Sequence, residues 1–175
     1  EGLYKGRYDN MPLELWMLFA YPILDATPAS ERLIYLRTML AAAEALRTGS
    51  TCHTDDIFEA PRQDLGKLGA VFAAYRDVGM RATISGHMID KNFLDTIPFA
   101  REMVPEHLQA EVNANPVPTV DDFMTFAKSA FAEFHGMDGR LNFMMAPSAP
   151  QRVTADLMLA VDAHARENAG DQRHD

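Results

Sequence analysis

Apolar residues return along this chain with two periods, and the switch between them marks the elements. Leu33, Leu36, Met39, Leu40, Ala43 and Leu46 recur at steps of three and four, which predicts a helix from Ser30, as its N-cap, to about Arg47, with Gly49 as its stop. Thr51–Phe58 is short and partly β-branched, and predicts a strand ending in two acids. After the Ala60–Pro61 break, Leu65, Leu68, Val71, Phe72, Tyr75 and Val78 predict a helix over Gln63–Val78, closed by Gly79. Met80–Met88 predicts a second strand. Phe93–Met103 and Pro105–Asn113 predict short helices inside a proline-punctuated stretch, Asp90–Pro118. Thr119 heads a long helix with Asp121 and Asp122 at its positive end and Phe123, Phe126, Ala127, Ala130 and Phe134 on one face. Leu141–Ala146 predicts a third strand, and Thr154 heads a last helix carrying Leu157, Met158, Val161 and Ala165. Strands separated by full helices imply βαβ crossovers and hence a parallel sheet.

Length changes that picture. Three strands at this spacing use up most of the 175 residues, whereas a closed (β/α)8 barrel takes about 250. A partial barrel or a small open doubly wound domain is left. The expected domain covers residues 1–168, with 169–175 as a polar frayed tail. No internal repeat is visible. Leu13–Leu24 is the most apolar run, but Glu14, Pro22 and its length keep it from spanning a bilayer. With neither a spanning segment nor a leader pattern, a cytoplasmic location is expected. Carboxylates outnumber basic side chains 25 to 16, which argues against nucleic-acid or membrane-surface partners. A single cysteine, Cys52, excludes a disulfide scaffold and reads as a small buried hydrophobe.

No glycine-rich phosphate loop, nucleophile elbow, H-E-x-x-H or paired C-x-x-C occurs. The six histidines include no H-x-H pair, so no local zinc motif exists. Position is more informative, because parallel α/β sheets bind ligands at the carboxyl ends of their strands. Three groups fall there: Asp55 and Asp56; Ser85, His87 and Asp90; Ser148 and Gln151. His87 either faces the site or hydrogen-bonds a loop carbonyl. Adjacent Asp55 and Asp56 point to opposite faces of a strand, so they do not form a catalytic pair, and a cap or ion pair is expected for at least one. His53 shares the face of Asp55, as a barrel-interior group or a structural one, the latter preferred. His107, His135 and His164 are expected in solvent, and Trp16 in the core.

Four strings resemble the amidohydrolase superfamily, in its branch of chlorohydrolases and aminohydrolases acting on triazines, guanine and related heterocycles. They are Tyr4-Lys5-Gly6-Arg7-Tyr8-Asp9-Asn10-Met11-Pro12-Leu13-Glu14-Leu15-Trp16, which is similar to the segment after the first strand; Ala41 to Asp56, similar to that branch's E-L-L-x-S-G-T-T-x-x-x-D run; and Arg81–Ser85 and Met145–Pro150, similar to the next two interior strands. The resemblance implies an α/β fold: a partial (β/α)8 TIM barrel, roughly strands two to four. In that family zinc or iron is held by an H-x-H on the first strand, histidines on the fifth and sixth and an aspartate on the eighth, and a metal-bound water attacks a ring carbon bearing an amine or halide. No position here matches a ligand; the H-x-H would precede Glu1, and His174 does not substitute for the fifth-strand histidine. The implied reading is a fragment of a metal-dependent hydrolase or deaminase, inactive alone, with no metal bound and no catalytic residue of its own. Its partner would be a small heterocyclic substrate, and the full-length parent could be a homo-oligomer. His87, Ser148, Gln151 and Trp16 become the substrate-binding candidates, Trp16 as an aromatic wall. Two other readings stand beside it: a non-catalytic open α/β binding or interaction domain, and an unrelated enzyme using His87 with a carboxylate as acid and base.

Overall fold

Cys52–Asp55 (β1), Arg81–Met88 (β2) and Leu141–Pro147 (β3) form one parallel sheet in the order β1-β2-β3 in the computed structural model, which describes residues 6–20, 27–59, 63–114 and 117–168. Spatial order follows chain order with no reversal, which is how neighbouring strands of a barrel wall run, and unlike the switch of a doubly wound sheet. Asp55 pairs with Ile84, Ile84 with Phe143, and His87 with Ala146. The C-terminal ends of the three strands therefore line up along one edge.

Six helices accompany the strands among the described residues: α1 (Leu13–Ala20), α2 (Glu31–Arg47), α3 (Leu65–Val78), α4 (Glu106–Ala114), α5 (Val120–Phe134) and α6 (Ala155–Asn168). Their ends carry the caps that the sequence supplies. The Ser30 hydroxyl accepts from Leu33 N at 3.2 Å, and the Asp64 carboxylate accepts from Lys67 N at 2.8 Å. Thr119 and Asp122 satisfy each other's backbone in a capping box. Gly79 closes α3 at φ +78°, a left-handed conformation that costs glycine little.

The core lies on one side of the sheet. Ala82, Ile84 and Met88 of β2 and Leu141 and Phe143 of β3 pack with Leu68, Val71, Phe72 and Tyr75 of α3, Ala127, Ala130 and Phe134 of α5, and Leu157 of α6. Alternate residues on the other face, Cys52, Thr54, Thr83, Asn142 and Met144, are exposed or half-buried, so helices cover one face only. Gly86 shows how tightly the covered face is filled. A Cβ there would meet the Phe126 ring at 2.6 Å and Phe143 at 3.4 Å. Gly86→Ala is expected to lower stability by about 1–3 kcal/mol through overpacking, read as a lower urea midpoint at unchanged slope.

Several expectations need correction. The helix foreseen over Phe93–Met103 is two short 3-10 turns, Phe93–Thr96 and Arg101–Met103, because Pro98 forces Ile97 into extended backbone. On α2 the buried face lies beside the leucine stripe: Ile34, Thr38 and Ala42 are buried, while Leu33, Leu36 and Leu40 are 44%, 45% and 58% exposed. Helix α2 is apolar on two faces, and the one turned to α3 is the one that packs. Met158 is likewise exposed, since it lies on the outer side of α6 from Leu157. The apolar run from Leu13 was assigned no element, and its described part is α1. Cys52 is exposed rather than buried, standing at the start of the edge strand on the uncovered face. His135 and His164 are half-buried against Phe131, at ring distances of 4.2 and 6.2 Å, not in solvent. The run's end at Leu24, the Ala60–Pro61 break, Pro116, and the tail with His174 lie outside the described residues.

Candidate functional site

At the C-terminal edge of the sheet three side chains form one hydrogen-bonded unit. The β1 ladder stops at Asp55, and the chain then continues beside β2 through side-chain bonds. The Ile57 amide donates to Ser85 Oγ at 3.1 Å, and Ser85 Oγ donates to Asp56 Oδ1. The other carboxylate oxygen of Asp56 lies 2.9 Å from His87 Nδ1. Main-chain contact closes the arrangement, His87 N donating to the Ile57 carbonyl at 3.1 Å. Phe58 meets the His87 ring edge-on at 5.2 Å. Ser85 is fully buried, whereas Asp56 remains half exposed.

This geometry has definite chemistry. Half-burial pushes the Asp56 carboxyl up, but the hydrogen bonds from His87 and Ser85 and the His87 charge more than offset it, so the acid titrates below its ordinary value. An ionised carboxylate only accepts, so the imidazole's Nδ1 carries the proton and Nε2 is the nitrogen left to meet a ligand. Ser85 holds the carboxylate, and the carboxylate sets the ring. Because Asp56 titrates low in the folded state, its contribution to stability is present above the ordinary carboxylate range and is lost as pH falls through that range. Asp56→Asn is expected to cost about 1 kcal/mol at neutral pH, the exposed half of the group being screened. The variant should also show a flatter melting-temperature profile between about pH 5 and pH 2 than the parent chain.

Asp55 points the other way, as alternation along a strand requires. The Tyr75 hydroxyl donates to Asp55 Oδ2 at 2.9 Å, and His53 Nδ1 lies 3.1 Å from the same hydroxyl. Burial, then the charge and hydrogen bond of Asp55, raise Tyr75 well above the ordinary phenol range. This cluster joins β1 to α3 beneath the helix layer. His53 is thus structural and does not face a barrel interior. Asp90 is engaged too, accepting from Thr154 N at 2.8 Å and from the Thr154 hydroxyl, which fixes the start of α6 to the end of β2.

Of the four substrate-binding candidates, His87 and Ser148 stand at neighbouring strand ends: Ser148 N donates to the carbonyl of Met88, the residue after His87, at 2.9 Å, and Ser148 is buried. Gln151 is exposed in the following loop, its carbonyl 3.5 Å from Lys91 Nζ. Trp16 is half-buried in α1, beside buried Met17. His87 bonds a carboxylate, not the loop carbonyl weighed from the sequence. Sequence reasoning missed Asp56 as the partner of Ser85 and His87. Both β2 residues share a face by simple alternation, but placing Asp56 beside them needs the β1–β2 register. Among the described residues no group of three His, Cys, Asp or Glu is arranged to hold a metal ion. Asp56 and His87 are two groups already bonded to each other, so the residues present do not fit the family's metal. Nor is any helix among the described residues long and apolar enough to cross a membrane.

A three-stranded parallel sheet covered on one face, with a polar unit at its carboxyl edge on the open face, is a wall of an α/β barrel. The relatives agree. The chain is 31% identical over 169 residues to the 5'-deoxyadenosine deaminase of Methanopyrus kandleri, covering 94% of this chain and 31% of that protein. It is 29% identical over 178 residues to the 5-methylthioadenosine/S-adenosylhomocysteine deaminase of Pelotomaculum thermopropionicum, covering 98% of this chain and 32% of that one. By fold it matches a variant of the atrazine chlorohydrolase TrzN from Arthrobacter aurescens TC1, complexed with zinc and atraton, at a TM-score of 0.61 and 15% identity, over 80% of this chain and 29% of the other. No family model matches. These likenesses agree with the amidohydrolase-superfamily resemblance that its strings carry. It spans about a third of the length of the curated relatives it matches.

Proposed function

We propose that this chain supplies part of the substrate-side wall of a metal-dependent cytoplasmic hydrolase or deaminase that cleaves a C–N or C–halide bond of a heterocyclic small molecule, and that the 175-residue chain alone does not turn it over. The observation that carries the reading is the Ser85–Asp56–His87 unit at the carboxyl edge of the uncovered face, in a chain that aligns with deaminases of adenosine derivatives over nearly its whole length. In an intact member of the family the metal would activate water. Here the chain's own residues do something narrower. Ser85 and Asp56 orient the His87 ring, whose Nε2 accepts a hydrogen bond from the heterocycle or holds a proton beside it. Ser148 lines the same edge, with Gln151 and Trp16 as outer contacts.

Titrating 5'-deoxyadenosine into the isotope-labelled 175-residue chain tests this. Saturable change at the His87 ring signals is expected, with neither stoichiometric zinc or iron nor release of ammonia. Stoichiometric metal with turnover would overturn the view that the chain is inactive alone. Unmoved His87 signals would overturn the substrate wall.

A further inference from the structure

Among the described residues several cations of this acidic chain are answered by a carboxylate: Arg37 by Glu59, Lys67 by Asp64, Arg76 by Asp77, Arg101 by Asp95, Arg140 by Asp138, Arg166 by Asp162. Two at the carboxyl edge of the sheet are not. Lys91 leaves the end of β2, and its Nζ reaches the carbonyl of Gln151 at 3.5 Å. Arg152, the next residue, lies in the loop from β3 to α6, its guanidinium carbon 5.7 Å from the centre of the Phe93 ring. Both are half-buried, and neither joins an ion pair among the described residues. The Arg152 Nε–H is buried and has no acceptor. The carboxylate adjacent in sequence, Asp90, is committed to Thr154.

A charged N–H buried without an acceptor is costly, and native structures seldom keep one unless something else supplies the oxygen. Here the ring of Phe93 supports one face of the guanidinium while Lys91 is tethered to the neighbouring carbonyl. Two positive groups stand on adjacent strand ends, with Asp90 the carboxylate beside them, in a chain with a nine-charge acidic excess. We infer that Lys91 and Arg152 form a subsite for an anionic oxygen group, a carboxylate or a phosphate, carried by the small molecule that binds the open face; this rests on the substrate-wall reading above. Arg152 presents a planar fork of donors suited to two oxygens of such a group, and Lys91 adds a point charge.

The test follows the Arg152 Nε–H signal by NMR during titration of the 175-residue chain with inorganic phosphate and, separately, with acetate, at ionic strength held constant with chloride. Saturable change is expected for at least one anion, and the tighter of the two identifies the source. Lys91→Met is expected to weaken that binding by about tenfold through loss of one charge-assisted contact. It keeps the test valid even where Arg152→Gln disturbs the loop, since Lys91 makes only a long carbonyl contact. An equal response to chloride alone, or unchanged binding in Lys91→Met, would overturn the subsite. Neutral 5'-deoxyadenosine separates this inference from the reading beneath it. Anion binding at Arg152 with His87 unmoved by the nucleoside keeps the subsite and removes the substrate wall; the converse result removes the subsite alone.

Discussion

Replacing Phe72 with alanine is expected to lower the stability of the chain by about 3–5 kcal/mol, a large part of what a domain of this size has. Phe72 is fully buried in α3, and its ring stacks on Phe134 of α5 at 4.9 Å between centroids. The two helices meet through this pair, and both lean on β2 and β3 through the same cluster. Truncation leaves a cavity that neither helix can close without leaving the sheet. Equilibrium denaturation should show the loss as a shifted midpoint. A loss under about 1 kcal/mol would mean that α3 and α5 can repack around the gap.

The second large effect belongs to a charge. The Glu59 side chain is only 5% exposed, just past the end of β1, and is paired with Arg37 of α2. Arg37→Met removes the cation and leaves a buried carboxylate, a change that costs about 3–5 kcal/mol in comparable pairs. Adding Glu59→Met to the same chain should recover most of that loss, because two well-packed apolar side chains of similar volume replace the ion pair at little cost. Melting temperatures of the parent, both singles and the double give the whole comparison. A single variant as stable as the parent would show that water reaches Glu59 once Arg37 is gone.

How far the chain could be read before its structure varies by level. Alternation of strand and helix was legible from periodicity and caps, because Ser30, Thr119 and Gly79 are local devices whose chemistry does not depend on distant residues. The faces of α3 and α5 were legible for the same reason: each has a single apolar stripe, buried along its middle, with Leu65, Val78 and Phe126 half-buried. Helix α2 was not. Leucines 33, 36 and 40 outweigh Ile34, Thr38 and Ala42 on any hydrophobicity count, yet the smaller residues allow the close approach to α3 that Tyr35 fixes through Asp77 at 2.9 Å. Asp56 shows the same limit at the site. Its neighbourhood is decided by which β2 residue stands opposite Asp55, and pairing across two strands is a long-range outcome that local pattern does not carry. The opposite orientations of Asp55 and Asp56, by contrast, needed only the two-residue pleat and hold as read.

The bond from the Ile57 amide to Ser85 Oγ has a consequence for exchange with deuterated water. Amides inside the β1–β2 and β2–β3 ladders can exchange only when strands separate, a collective event. The Ile57 amide is held instead by the single hydroxyl of Ser85, which also donates to Asp56. Its exchange rate therefore reports the opening of the Ser85 contact that anchors one oxygen of Asp56, a local lifetime at the site read from a single backbone position.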